Sequence, residues 1–102
     1  MFGFIKRLLG PPVNFRQMVA DGALIVDVRT KEEFNEGHIK GSVNIPLNTL
    51  KQEIPQLKKK NKTIVTVCRS GTRSGVGKNM LKLAGMEVFN GGAWNQLERK
   101  IG

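Results

Sequence analysis

The segment "TIVTVCRSGTRSG", residues 63–75, decides how the chain is read. "TIVTV" is a β-branched run without a regular polar alternation, the pattern of a strand covered on both faces. Gly71 and Gly75 punctuate the segment after Cys68, and Val76, Met80, Leu83 and Ala84 then recur at helical spacing until Gly85 ends the pattern. A buried strand, a glycine-bearing loop and a helix in succession predict an α/β fold with a mainly parallel sheet. Cys68 then stands at the strand end where such sheets collect ligands.

The rest of the chain repeats that alternation. "NFRQMVADG" reads as a short helix capped by Asn14, with Phe15, Met18 and Val19 inward, and "ALIVDV" as a second strand buried on both faces. "TKEE", residues 30–33, is a capping box that opens a short helix, and Gly37 is expected to end it in the left-handed conformation. "SVNIP" is a short strand, "LNTLKQEIPQL" a helix expected to be broken at Pro55, and "KKKNK" a solvated connection. "EVFN" is a last strand, "GG" a turn and "AWNQLERK" a closing helix. The expected architecture is a small parallel sheet with helices on both faces, formed by residues 13–102, with residues 1–12 as an N-terminal extension.

With 102 residues, 39% of them apolar and 25% charged, the chain has the composition of one small domain with one core, and no apolar run is long enough to span a bilayer. Met1, Ile5, Leu8 and Leu9 recur at helical spacing, but Lys6 and Arg7 interrupt them, so neither an export signal nor membrane contact is expected. Cys68 and His38, the sole cysteine and the sole histidine, are too few to build an internal disulfide or a structural zinc site. The expectation is a monomer in a reducing, cytoplasmic setting, without metal or other cofactor.

Charge is unevenly distributed. Between Ile54 and Met86 there are eight cations (Lys58, Lys59, Lys60, Lys62, Arg69, Arg73, Lys78 and Lys82) and no acid, within a net charge of +9. "KKKNK" lacks interleaved aromatics, so a small anion is the expected partner and nucleic acid is not. Residues 69–75 contain no proline, and Gly71 and Gly75 can supply positive φ, so consecutive amides can turn toward one centre. Together with Arg69, Arg73 and the start of a helix near Ser74, such an anion nest favours the thiolate of Cys68. An inert core cysteine has no use for that neighbourhood.

"CRSGTRS" resembles the active-site loop of single-domain rhodaneses, the thiosulfate and persulfide sulfurtransferases. "IVDVRTKEEFNEGHIKGSVNIP" is similar to the upstream part of that family, and "VFNGGAWNQ" to its closing element. The resemblance covers about residues 13–98 and implies a Cys68 persulfide that takes a sulfane sulfur from a donor such as thiosulfate and passes it to cyanide, a thiol or a thioredoxin-like protein. Arg69 and Arg73 would hold the anionic donor, while Ser70, Gly71, Thr72 and Ser74 would complete the binding loop, with Ser74 as a further candidate for capping the helix. His38 is expected to make a structural hydrogen bond, Asp27 and Arg29 to pair along the sheet edge, and Trp94 to cover the core.

Two other readings remain. Phosphatases and arsenate reductases with a similar loop carry Cys-x5-Arg, whereas four residues separate Cys68 from Arg73 here. Fewer amides fit a sulfur atom better than a tetrahedral oxyanion. Rhodanese-like domains also serve as non-catalytic binding modules, which typically lack the cysteine, or as persulfide relays between proteins.

Overall fold

The computed structural model describes residues 13–102; the expected extension lies outside the described residues. Helix α1 (Phe15–Ala20) begins where the Asn14 side chain accepts the Gln17 N–H at 3.0 Å. Gly22, at φ +104°, turns the chain into β1 (Leu24–Asp27). The capping box forms in both directions between Thr30 and Glu33 and opens α2 (Lys31–Glu36). The chain continues through β2 (Val43–Asn44), α3 (Leu47–Lys60), β3 (Ile64–Cys68), α4 (Thr72–Leu83), β4 (Val88–Ala93) and α5 (Trp94–Ile101).

All strand pairs are parallel, in the order β2-β1-β3-β4. Parallel neighbours cannot be joined by tight turns, which is why helices intervene between successive strands. The strand order reverses beside β1 and β3, and ligands of open α/β sheets gather at such a switch point, beyond the carboxyl ends of the strands. Asp27 ends β1 and Cys68 ends β3, so both stand at that point.

Two apolar clusters lie on opposite faces where the sequence suggested one core. Val26, Leu50, Leu57, Ile64 and Leu81 belong to one; Ile25, Val65, Val67 and Leu97 belong to the other, with Phe15 and Met18 packed against it. Alternate residues of β1 and β3 point to opposite sides, so a sheet buried on both faces divides the interior.

Several local expectations change. α3 continues through Pro55 to Lys60, because burial of Leu50 and Leu57 on one side outweighs a missing N–H on the exposed side. Lys58, Lys59 and Lys60 are therefore the last turn of a helix, a position that suits cations, and Asn61 caps it at φ +50°. In α4 the buried face is Ser74, Gly77 and Leu81, while Val76 and Leu83 are exposed. Gly77 is the close-packed position, since an added Cβ would lie 3.2 Å from Leu50 Cδ2. Gly37 is extended, at φ 163°, and its lack of a side chain admits Trp94, whose Cη2 would be 3.2 Å from a Cβ there.

The expected "GG" turn is instead part of β4. Thr66 pairs with Asn90 and Val67 with Gly92, leaving Gly91 as the extra residue of a bulge. A Cβ on Gly91 would meet Val65 Cγ1 at 2.8 Å and Leu97 Cδ2 at 3.0 Å, so only glycine fits the bulge.

Because Pro55 is exposed in a helix interior, Pro55→Ala should restore a backbone hydrogen bond. It should stabilise the protein by about 1–3 kcal/mol, less than the full helix cost of proline because the unfolded chain also gains freedom. Urea unfolding checks this; an unchanged or lower midpoint would mean that α3 has adapted its geometry to the proline.

Candidate active site

β3 delivers Cys68 to the end of the sheet, and Gly71, at φ +105°, reverses the backbone so that α4 can start at Thr72. That positive φ belongs to Gly71 and not to Gly75, which lies within α4. Gly71 also packs against β4, where a Cβ would stand 3.4 Å from Gly92 Cα. The loop thus wraps back over the sulfur.

Cys68 is 0% exposed. Its Sγ accepts the Gly71 N–H at 3.0 Å and the Ser74 N–H at 3.3 Å, with Ser74 Oγ also at 3.3 Å. Burial pushes the thiol up. The amides of Ser74, Gly71 and Ser70 oppose that and hold the Cys68 pKa below the ordinary thiol range, while the Ser74 hydroxyl, also beside the sulfur, has its proton engaged by Asn90. Of the nest expected over residues 69–74, the Gly71 and Ser74 amides meet the sulfur, and amides rather than the two guanidiniums favour the thiolate.

Arg73 faces away from a free role. It makes a two-pronged ion pair with Glu33, at 2.7 and 2.9 Å, and this pair ties the first turn of α4 to the capping box of α2. Arg73 holds the Glu33 carboxyl down at about 2, helped by the Thr30 amide, while Glu33 raises the Arg73 pKa. Arg69 is exposed and lines a cavity of about 290 Å³ with Arg29, Glu33, Glu36, Gly37, Trp94 and Asn95. The surroundings of the loop therefore carry acids from α2 that the local sequence does not show.

The other candidates fall into place around this centre. Ser74 does not cap α4, whose cap position is Gly71; its hydroxyl reaches Asn90 at 2.7 Å, and its carbonyl accepts Thr66 Oγ1 at 2.9 Å. Ser70 Oγ donates to Thr72 Oγ1 at 3.4 Å on the exposed side of the loop. Asp27 and Arg29 form the expected pair, buried at 2.8 Å, and Arg29 also donates to the Gly37 carbonyl at 2.7 Å and lies 4.7 Å above the Trp94 ring. His38 Nδ1 donates to the Phe34 carbonyl at 2.8 Å, a structural bond as expected.

The lysines are a different matter. Lys58 and Lys62 line a cavity with Thr63, Gly85 and Met86, at the end of the sheet where β3 begins. Cys68 is at its other end, about 13 Å away over the four residue steps of β3 at roughly 3.3 Å each. A Debye length of about 8 Å screens most of their field over that distance. Near Cys68 the unpaired positive charge is therefore chiefly that of Arg69.

Asn90 and Glu33 join the site without having been expected from the sequence. Asn90 had a signal, a strand-disfavoured polar residue inside an apolar run directly before two glycines. Glu33 had none beyond its capping role, because its partner is forty positions away.

Comparison with known proteins places this geometry. The family model of the rhodanese-like domain matches residues 12–96, and the chain belongs to that family. It is 34% identical over 83 residues to thiosulfate sulfurtransferase PspE of Escherichia coli, covering 80% of each chain. A solved E. coli structure described as rhodanese with anions matches with a TM-score of 0.67 and 33% identity over 72% of this chain and 89% of that one. The human single-domain sulfurtransferase TSTD1 shares the fold, with a TM-score of 0.67 at 24% identity over 88% of this chain and 98% of that one. Its relatives thus include a thiosulfate sulfurtransferase.

The Glu33–Arg73 pair should leave a signature in acid. A carboxyl held down at about 2 contributes stability that is complete above its ordinary value and is lost as pH falls through the folded one. Glu33→Gln keeps an acceptor for the Thr30 amide but removes the charge. Wild type should therefore be the more stable protein at neutral pH, with the difference closing toward about pH 2; a difference independent of pH would show that the pair contributes through packing alone.

Proposed function

We propose that the protein is a sulfurtransferase that carries a sulfane sulfur as a persulfide on Cys68. The observation that supports this most strongly is a solitary cysteine sulfur accepting the N–H groups of Gly71 and Ser74 at the carboxyl end of a buried strand. In a first step the Cys68 thiolate attacks the outer sulfur of thiosulfate. The S–S bond of the donor breaks, sulfite leaves with its electron pair, and Cys68 holds the transferred sulfur. In a second step cyanide, a small thiol or a thioredoxin-like protein attacks that outer sulfur, and the Cys68 thiolate is regenerated. No second cysteine exists in the chain to resolve the persulfide internally, so the acceptor comes from outside.

The loop suits each step. Amides that stabilise the thiolate also suit the terminal sulfur of a persulfide, which is anionic at neutral pH. Exposed Arg69, beside the adjoining cavity, is placed to meet an anionic donor and to ease the departure of sulfite. Arg73, engaged by Glu33, acts on the donor through the shape of the loop more than as a free cation. The donor reaches a sulfur that is 0% exposed only when the loop from Arg69 to Gly71 yields, so small reagents should react faster than bulky ones.

That same burial is what a non-catalytic binding module would present, and one experiment separates the two. After incubation with thiosulfate the intact protein should gain the mass of one sulfur atom and lose it again on adding cyanide, with thiocyanate released. Cys68→Ser should show neither change. A wild-type protein that never gains mass, although it reacts with a small alkylating agent, would assign the domain to binding instead.

A further inference from the structure

Asn90 stands on β4 beside the bulge at Gly91, which turns the strand so that this side chain faces the cysteine loop. Its amide orientation is fixed by its neighbours. The Gly92 N–H at 2.9 Å can only donate, so it faces Oδ1; the Gly71 carbonyl at 3.1 Å can only accept, so it faces Nδ2. Room for that reach is made by Gly75, where a Cβ would stand 3.3 Å from Nδ2. Ser74 Oγ, 2.7 Å from Oδ1, must therefore be the donor in that contact.

A serine hydroxyl has one proton to give. With it directed to Asn90, Ser74 Oγ can only accept from Cys68, 3.3 Å away, and such a contact supports the thiol rather than the thiolate. Were the hydroxyl free to donate, it would lead the groups that lower the Cys68 pKa. Two acceptors thus compete for one proton, and the shorter contact belongs to Asn90. We propose that Asn90 is a positioning residue of the sulfur site, which keeps the Ser74 proton on its own Oδ1 and leaves the anionic sulfur to backbone amides alone.

This rests on the reading of Cys68 as the nucleophile, and it gives that reading a purpose for Asn90. A thiolate stabilised by every available donor is abundant but sluggish, because nucleophilicity falls with pKa. Withholding one donor keeps Cys68 reactive. Other charges near the sulfur do not take over this role: Arg73 is matched by Glu33, Arg29 by Asp27, and Arg69 is exposed on the loop. The Gly71 contact gives Asn90 a second function, holding the loop carbonyl so that the Gly71 N–H points inward.

The rate of alkylation by iodoacetamide against pH reports Cys68 alone, as the sole cysteine, and needs no sulfur donor, so its outcome is independent of whether thiosulfate is a substrate. Asn90→Ala releases the Ser74 proton to the sulfur and also frees the Gly71 carbonyl, whereas in a Ser74→Ala background it does only the second. The apparent pKa change caused by Asn90→Ala should therefore lie lower with Ser74 present than with Ser74→Ala by about one pH unit, the scale of one hydrogen bond gained by the anion, and Ser74→Ala alone should not raise the pKa. An equal change in the two backgrounds would overturn the proposal and leave Asn90 as scaffold. If Asn90→Ala does not fold, Ser74→Ala alone decides, since a rise there would mean that the Ser74 proton already belonged to the sulfur.

Discussion

A sulfur shut away from water can carry a charge only where the protein donates to it, and the geometry around Cys68 meets that requirement. Backbone amides are already there. Gly71 at positive φ aims its own N–H inward and sets the first turn of α4 so that the Ser74 N–H converges on the same atom. The loop is then fixed from outside, by Asn90 on β4, by Thr66 on β3 and by Glu33 on α2.

Charge plays a different part from the one its distribution along the chain suggests. The cation-rich, acid-free stretch around Cys68 folds against a helix that carries Glu33 and Glu36, and its lysines Lys58 and Lys62 go to the opposite end of the sheet. What remains near the sulfur is mostly paired: Asp27 with Arg29, buried, and Glu33 with Arg73, part-exposed. Paired charges fix positions, which is what a site made of closely directed amides requires. Among the described residues every buried side-chain polar atom has a partner, so the polar groups of this edge do not weaken the fold that carries them.

Much of this could be read from the chain because it is local. The buried run of β3, the glycine after Cys68, the capping box at Thr30 and the cap at Asn14 each act within a few residues, and each forms as the pattern indicates. Apart from the exact start of α4, the failures share one cause, contacts distant in sequence. Pro55 stays in a helix because Leu50 and Leu57 are buried by a sheet formed elsewhere. Gly91 enters a strand because Val65 and Leu97 press on it, and Gly37 is needed by Trp94 rather than by its own φ. Arg73 was legible as a cation near Cys68; its partner Glu33 was not.

The central claim is that amides, more than guanidiniums, carry the charge on the Cys68 sulfur. Its most direct test is an amide NMR titration of the reduced protein with pH. The Gly71 and Ser74 N–H resonances should move together, with one midpoint below the ordinary thiol range, and Cys68→Ser should abolish the transition. If those two amides stay still while Cys68 ionises, or if the midpoint lies at or above the ordinary thiol value, the nest does not hold the anion and the account is wrong.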